Sequence, residues 1–332
     1  MSIKNTIVLN RSDLKYLLID SLRLYSNNVI FMDGSNPYRF SINKKTFYVL
    51  IKNVHESGEG RGNQDECRIQ VSKSKNFNPA LSSATDVLVL GYYPDIKVFT
   101  AWSPFLMRER FNKKKTVSLY SRFSIQDEAK KIGIANYKDL NNQSIISFRP
   151  EYLGLYLENL SNIHILNDLN LLKLTNKSDQ LNIINEDDVI SIDKKKFTIT
   201  HTRYKRDPAF RNRIYQAYNN KCAMCGIQLE LIEAAHIVPH SHEKGTDEVE
   251  NGICLCSLHH NAYDHSLIYF DDKFNIKVNK SKVQYLEKLG LDSGYRKLEE
   301  LAFEKILLPE NHIFRPKIEN INLANQIRGV IN

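Results

Sequence analysis

The stretch CAMCGIQLELIEAAHIVP (residues 222–239), with NGICLCSLHHNAYD (residues 251–264) after it, decides how this chain is interpreted. Potential metal ligands recur in it at one spacing, as Cys222-x-x-Cys225 and Cys256-x-x-His259. A two-residue spacer lets both side chains of a pair face one ion, and the two pairs together complete a tetrahedral set. We therefore expect a structural Zn²⁺. A redox dithiol is the alternative for the first pair, but it needs no second pair at matching spacing.

The use of cysteine and the first residues of the chain indicate the cellular compartment. Cys254 is expected to be a buried thiol that binds no metal, and Cys67 lies far from the cluster. The first residues lack the layout of a signal peptide, and the apolar runs have only the length of strands. We expect a cytoplasmic protein that does not interact with a membrane, in which clustered cysteines indicate metal ligation before disulfides.

Three further residues stand around the metal ligands in a characteristic order: His236, Asn251 and His260, at offsets of 15 and 9 positions. This order resembles the signature of HNH (ββα-metal) endonucleases, in the variety that contains zinc. The segments A-A-H-I-x-P, N-G-I-x-L-C and H-x-x-x-D are similar to those of HNH modules in bacterial restriction endonucleases. The resemblance covers about 75 of the 332 residues.

The resemblance implies a role for each matching residue. His236 corresponds to the general base, and a neutral imidazole with a pKa of about 6.5 can take a proton from water. His260 corresponds to a ligand of the catalytic divalent metal, Mg²⁺ or Mn²⁺. Asp264 lies one helical turn later on the same face, so both side chains can reach one ion. Asn251 is expected to hold the loop of His236 through its amide.

The chain departs from the HNH pattern at one position. Many HNH modules carry an aspartate or histidine that binds the catalytic metal just before the general base, and this chain has Ala235 there. Restriction-type modules share this alanine, and His240 or Asp264 is expected to compensate. A zinc ribbon that only binds DNA would need the zinc ligands but neither His236 nor Asn251.

The N-terminal part predicts a different kind of structure. Short β-branched or aromatic runs alternate with turn residues and predict strands at Lys45–Asn53, Cys67–Ser72, Asp86–Tyr92 and Lys97–Trp102, the last two forming a hairpin. A serine-capped helix is predicted at Ser124–Ile134, and a second helix begins at Asp207–Pro208.

These segments predict an α+β fold. A mixed α/β or barrel-like recognition domain (residues 1–160) precedes a connector (161–202), a zinc-stapled ββα-metal HNH domain (203–280) and a C-terminal extension (281–332).

The net charge of +8 suits a polyanionic partner. Cations that could position DNA phosphates lie near the aromatics Trp102, Phe105 and Phe111, which could stack on a base. The candidate DNA-binding residues are Arg61, Arg108, Arg110, Lys113, Lys114 and Lys115. A solvated basic loop beside an ordinary aromatic core explains the same residues equally well.

These observations predict a metal-dependent HNH restriction-type endonuclease that hydrolyses phosphodiester bonds of double-stranded DNA in anti-phage defence. Whether base modification is required stays open at this stage, and a homodimer is plausible because two strands must be cut. The alternatives are a zinc-stapled protein that binds DNA without cleaving it, and an HNH toxin or homing-type nuclease.

Overall fold

The computed structural model describes most of the chain. For residues 188–192, 195–199 and 208 the description is of the backbone alone. The described residues are 7–26, 29–43, 45–56, 64–72, 87–103, 110, 114–140, 142–160, 163–166, 171, 188–192, 195–199 and 208–330.

The chain divides into two compact units. The N-terminal unit comprises Met1–Val29 and Asp33–Thr202, and the C-terminal unit comprises Ile30–Met32 and Arg203–Asn332. In the described part of the chain, no helix is both long enough and apolar enough to cross a membrane.

Two sheets and three helices make up most of the described N-terminal unit. The larger sheet has seven strands in the order β1-β2-β3-β6-β7-β10-β9, and a smaller sheet has the order β4-β5-β8. The strands are β1 (Val29–Asp33), β2 (Tyr38–Ile42), β3 (Lys45–Asn53), β4 (His55–Glu56), β5 (Glu66–Ser72), β6 (Val87–Tyr93), β7 (Val98–Trp102), β8 (Thr116–Arg122), β9 (Ile134–Lys138) and β10 (Ser144–Phe148). The helices are α1 (Arg11–Arg23), α2 (Phe123–Ile132) and α3 (Leu153–Glu158), and a further hairpin is formed by β11 (Asp188–Ile192) and β12 (Lys195–Ile199).

The α+β fold class is confirmed, and β6 and β7 form the expected antiparallel hairpin. β3 pairs with β6 in parallel, so the chain must leave the sheet and return between them. The apolar faces of the two sheets share a core that includes Leu50, Ile69, Val89 and Leu119. One buried face explains the alternating burial of β5 and β8, whereas β7 and β10 are buried at every position and β6 at all but its last.

The predicted serine cap of α2 is wrong. The N-cap position is Arg122, without a side-chain cap, and Ser124 lies inside the helix. Asp65 instead accepts hydrogen bonds from the Ser124 N–H at 2.7 Å and from its hydroxyl at 2.6 Å. A carboxylate from a distant loop thus satisfies the N–H that a local serine would have satisfied.

The C-terminal unit is built on a hairpin and a helix. Its elements are α4 (Pro208–Ala217), β13 (Ile232–His236), β14 (Gly252–Cys256), α5 (Ser257–Asp264), β15 (Ile268–Phe270), β16 (Ile276–Val278), α6 (Lys280–Lys288), α7 (Tyr295–Glu300) and α8 (Ile318–Ile327). β13 and β14 pair antiparallel, with His236 opposite Gly252 and Ile232 opposite Cys256. The apolar stripe Phe210, Ile214 and Tyr218 is buried in the core, as its spacing predicts.

The residues after 280 share this core. Ile306, Ile321 and Ala324 are buried in the same cluster as Ile253 and Tyr263. The α8 helix also donates a buried hydrogen bond from the Asn325 amide to the carbonyl of Phe270 at 2.7 Å. The C-terminal segment is therefore an integral part of this unit.

Candidate active site and metal centre

The four predicted zinc ligands converge at one point of the C-terminal unit. The donor atoms of Cys222, Cys225, Cys256 and His259 all lie within 4.8 Å of one another. Sγ of Cys225 and Cys256 are 3.9 Å apart, and Nδ1 of His259 lies 3.6 Å from Sγ of Cys222 and 3.3 Å from Sγ of Cys256. Tetrahedral zinc, with Zn–S near 2.3 Å and Zn–N near 2.0 Å, would separate such atoms by about 3.6–3.8 Å. The cluster can hold a metal ion of this size.

The backbone around the first pair explains how two thiolates come to face one point. Gly226 follows Cys225 with a φ of +74°, a left-handed conformation that favours glycine, and its N–H bonds to the carbonyl of Cys222 at 2.8 Å. All five cysteines are free thiols. Cys254 is buried beside the cluster, where burial raises the pKa of its thiol to about 12, and it is not one of the four residues whose donor atoms converge.

Without a bound cation, burial opposes ionisation of the cysteine thiols in this cluster. Burial raises the pKa of the Cys222 thiol, but hydrogen bonds from His259 and from backbone groups outweigh it and lower the pKa to about 6. For Cys225 burial prevails and raises the pKa to about 12. A bound cation would stabilise all three thiolates at once.

Asn251 forms hydrogen bonds to the loop that follows β13. Its side chain is buried, accepts from the N–H of Val238 at 2.9 Å, and donates to the carbonyl of Val238 at 3.0 Å and of Thr246 at 2.9 Å. Its own carbonyl accepts from the N–H of Ile237 at 2.8 Å. These bonds connect Asn251 to the chain that directly follows His236, and its role in catalysis stays a prediction.

His236 is held on two sides. Its ring stacks on Phe210, with centroids 4.2 Å apart and planes 7° from parallel. Its Nε2 lies 2.8 Å from Oδ1 of Asp247, and because a carboxylate can only accept, Nε2 carries the proton. His240 approaches the other oxygen of Asp247, at 3.7 Å. Asp247 was not predicted from the sequence, because nothing marks a loop aspartate 11 positions after the histidine.

Gly252 permits this stacking. It lies opposite His236 in the hairpin, and a Cβ there would come within 2.2 Å of Cδ1 of Ile214 and 2.9 Å of Cζ of Phe210. The missing side chain therefore lets α4 lie directly on the hairpin, and Phe210 reaches the imidazole.

His260 and Asp264 form the second part of the site. Nε2 of His260 lies 3.3 Å from Oδ2 of Asp264, and its Nδ1 is hydrogen-bonded to Glu233. Glu233 also accepts from the hydroxyl of Ser257 at 2.9 Å. Since Nδ1 donates to Glu233, Nε2 of a neutral ring points a lone pair at the Asp264 carboxylate.

Two such electron-pair donors need a proton or a cation between them. Burial lowers the pKa of His260, but Asp264 and Glu233 outweigh burial and raise it. The donor pair therefore fits a divalent cation, which would take the place of the Nε2 proton.

Glu233 lies on the same face of β13 as Ala235, the position at which many HNH modules carry a metal ligand. Residues two apart in a strand share a face, so Glu233 could have been found from the alternation of β13. The short chain segment Glu233–His236 thereby supplies a positioning carboxylate for His260. His240, which was offered as a replacement for the metal ligand missing at Ala235, lies near Asp247.

The predicted DNA-binding residues are only partly described. Arg61, Arg108 and Lys113 lie outside the described residues, as do the aromatics Phe105 and Phe111. Lys114 and Lys115 are exposed, whereas Arg110 donates to Gln143 at 3.1 Å and lies 3.9 Å from Asp139. Trp102 is only 5% exposed and donates to the carbonyl of Tyr120, so the expectation that it stacks on a base is wrong.

Comparison with known proteins bears directly on this site. The HNH endonuclease family matches residues 222–271. The chain carries an HNH endonuclease domain. The match spans the metal cluster, the β13–β14 hairpin and α5, and it confirms the resemblance drawn from His236, Asn251 and His260.

The HNH domain is preceded by a second matched family. Residues 45–157 match the family described as Methylase-associated X1. No curated protein matches the chain. A solved structure described as "Modification dependent TagI restriction endonuclease" is similar at 11% identity over 85% of this chain and 81% of that chain, with a TM-score of 0.27, too low to compare sites.

Proposed function

We propose that this protein is a metal-dependent, restriction-type HNH endonuclease that hydrolyses phosphodiester bonds of double-stranded DNA. The observation that carries the proposal is the pairing, within one HNH domain, of an imidazole held by a carboxylate with a donor pair suited to a divalent cation. The first can take a proton from water, and the second can bind a metal beside it.

The residues divide the work of hydrolysis. His236 takes a proton from the attacking water through Nδ1, because Nε2 already carries the proton that Asp247 accepts. The water oxygen bonds to phosphorus, the bond to the 3′ oxygen breaks, and the 3′ oxygen leaves with a proton from solvent. Nε2 of His260 and Oδ2 of Asp264 would hold Mg²⁺ or Mn²⁺, and Glu233 keeps His260 in the tautomer that this requires. When bound, such a cation offsets negative charge on the phosphate and the leaving oxygen.

The cysteine and histidine cluster has a separate, structural role. Three thiolates and one imidazole leave a tetrahedral ion no open position, so we assign it Zn²⁺ and no part in the chemistry. The ion would join the loop before β13 to the start of α5 and so fix the hairpin to the helix.

The N-terminal unit is proposed as the part that recognises DNA. The family it matches is described as methylase-associated, which favours a target defined by methylation and a role in defence against phage in the cytoplasm. The exposed Lys114 and Lys115 are retained as candidate phosphate contacts, together with Arg61, Arg108 and Lys113. Two strands must be cut, so a homodimer is part of the proposal.

The deciding experiment is digestion of matched methylated and unmethylated duplexes by the zinc-loaded protein with Mg²⁺ or Mn²⁺, with mapping of the ends. Wild type should cut one of the two substrates in preference. His236→Ala should lose about 10²–10⁴-fold in rate while DNA binding and zinc content persist. His312→Ala is the matched control, because it removes an exposed imidazole of the same unit.

Each outcome assigns the protein to one class. Binding without any cleavage by wild type on either duplex would replace the endonuclease with the DNA-binding alternative. Equal cutting of both duplexes would retain the endonuclease and remove its dependence on modification.

A further inference from the structure

Arg328, the residue directly after α8, reaches into the HNH site from outside the segment that the family matches. It is only 3% exposed. Its Nη1 donates to the carbonyl of Ile237 at 2.8 Å, and its Nη2 lies 3.4 Å from the carbonyl of His236 and 3.3 Å from Oδ1 of Asp264. One guanidinium therefore contacts both halves of the site.

We propose that Arg328 is a positioning residue that fixes the Asp264 carboxylate and the backbone of His236 relative to each other. This inference rests on the proposed function, since it assigns Asp264 to the catalytic metal. The C-terminal segment thereby completes the active site of the HNH domain.

The contacts of Asp264 show why such a residue is needed. Its side chain is half exposed at the end of α5, and its two oxygens have different partners. Oδ1 faces Arg328, which leaves Oδ2 turned toward Nε2 of His260. Without the guanidinium, the carboxylate could rotate toward solvent, and the donor pair would lose its geometry.

The contacts on the other side act on the general base. Arg328 binds the carbonyl of His236, the last residue of β13, and the carbonyl of Ile237, which follows the strand. A planar guanidinium presents several N–H groups in a fixed fork, so it can serve these carbonyls and Asp264 together. The single ammonium of lysine lacks this geometry.

Arg328 is itself held in place. It lies over the ring of Tyr263, 3.9 Å from the centroid, and its carbonyl accepts from the hydroxyl of Ser266 at 3.1 Å. Asn325, one turn earlier, ties α8 to β15. The arginine is thus supported by packing on both of its ends, as a residue that positions others must be.

The test uses the full-length, zinc-loaded protein and titrates it with Mn²⁺ in a calorimeter, without DNA. Arg328→Lys and Arg328→Met should weaken Mn²⁺ binding by about 10- to 100-fold while zinc content stays at the wild-type value. Arg315→Met is the matched control, because it removes a partly buried arginine of the same segment, whose Nε donates to the carbonyl of Pro309. In an Asp264→Asn background, Arg328→Lys should cause no further loss.

The results separate this inference from the proposed function. Mn²⁺ affinities of the Arg328 variants equal to that of Arg315→Met would overturn the positioning role. If Arg328→Met loses its zinc, the lysine variant decides, because it retains the charge. Cleavage assays on the same samples test the endonuclease itself, which fails if wild type cuts no DNA, whatever the Mn²⁺ titrations show.

Discussion

At the scale of single residues, each candidate catalytic histidine is oriented by a carboxylate that the HNH signature does not contain. Asp247 holds His236 and Glu233 holds His260, and each fixes which ring nitrogen carries a proton. The two carboxylates bind different ring nitrogens: Asp247 binds Nε2 of His236, and Glu233 binds Nδ1 of His260. In the proposed mechanism, Asp247 leaves Nδ1 of His236 to accept a proton from water, and Glu233 leaves Nε2 of His260 to bind the cation.

Replacement of Asp247 tests the first of these pairs. Asp247→Asn keeps the size of the side chain, but its amide can donate to Nε2 and favour the wrong tautomer. Cleavage should fall by about 10²-fold or more, within the range that general-base catalysis contributes. Single-turnover rates at saturating Mn²⁺ measure this, with the exposed neighbour Glu248→Gln as the control. Equal rates for the two variants would show that Asp247 does not orient the base.

Replacement of Glu233 tests the second pair by a different readout. Glu233→Ala should raise the Mn²⁺ concentration needed for half-maximal cleavage by about 10- to 100-fold, because His260 loses the acceptor that fixes its tautomer. Glu233→Gln keeps an acceptor and should lie between this variant and wild type. Glu230→Ala, an exposed carboxylate nearby, should leave the Mn²⁺ dependence unchanged. If Glu233→Ala lowers the maximal rate alone, the residue acts on a step other than metal binding.

At the scale of elements, the packing of α4 on the hairpin connects the core to the site. Gly252→Ala places a methyl group against Ile214 and Phe210, and such overpacking typically costs about 1–3 kcal/mol. The free energy of unfolding should fall by that amount, and cleavage should fall as Phe210 shifts from His236. Ile214→Val removes the nearest atom, Cδ1, so the double variant should recover part of both losses. A double variant as unstable as Gly252→Ala would place the strain elsewhere.

A partly buried histidine is expected to give the N-terminal unit a pH-dependent stability of its own. Nε2 of His164 bonds to the hydroxyl of Tyr156 at 2.8 Å, and Nδ1 donates to the carbonyl of Ser144 at 2.9 Å. Burial lowers the pKa of His164 from 6.5 to about 4. As the pH falls below 6.5 the unfolded chain takes up a proton that the folded chain excludes, so stability is lost down to about pH 4.

The expected loss from His164 is about 2 kcal/mol at pH 5. His164→Gln should show a correspondingly smaller difference in unfolding free energy between pH 7.5 and pH 5. Trp102, the single tryptophan, is buried in this unit and reports its unfolding by fluorescence. His55→Gln, at an exposed position of the same unit, is the control. An unchanged pH dependence in His164→Gln would show that the ring is protonated in the folded state.

Features that depend on residues close in sequence could be predicted, whereas contacts between residues far apart in sequence could not. Local periodicity was enough for β3, the β6–β7 hairpin and the buried stripe of α4, because each depends on near neighbours in sequence. The metal cluster was predicted from spacing alone. The hydrogen bond between Asp65 and Ser124 of α2 joins residues 59 positions apart, and the one between Arg328 and Asp264 joins residues 64 positions apart. No local sequence pattern indicates such contacts.

At the scale of the whole molecule, the chain divides into two compact units, and we expect their functions to be separable. The residues after 280 share the core of the HNH domain, so a fragment ending at 280 would expose the cluster around Ile253 and Tyr263. A functional nuclease fragment is therefore expected to include Ala324 and Arg328. The domain bounds expected from the sequence stay a prediction on this point.

A pair of fragments tests this division. Residues 203–332 should fold, hold about one zinc per chain, and nick DNA weakly with little preference for methylation, because the proposed recognition unit is missing. Residues 203–280 should hold zinc poorly and cleave nothing, since they lack Ile306, Ile321 and Arg328. Metal analysis, circular dichroism and end mapping on the matched duplexes measure these properties, with the full-length protein as reference. A 203–332 fragment that reproduces the full-length cleavage pattern would place recognition in the HNH unit itself. A 203–280 fragment that folds and cuts would remove the C-terminal segment from the active site.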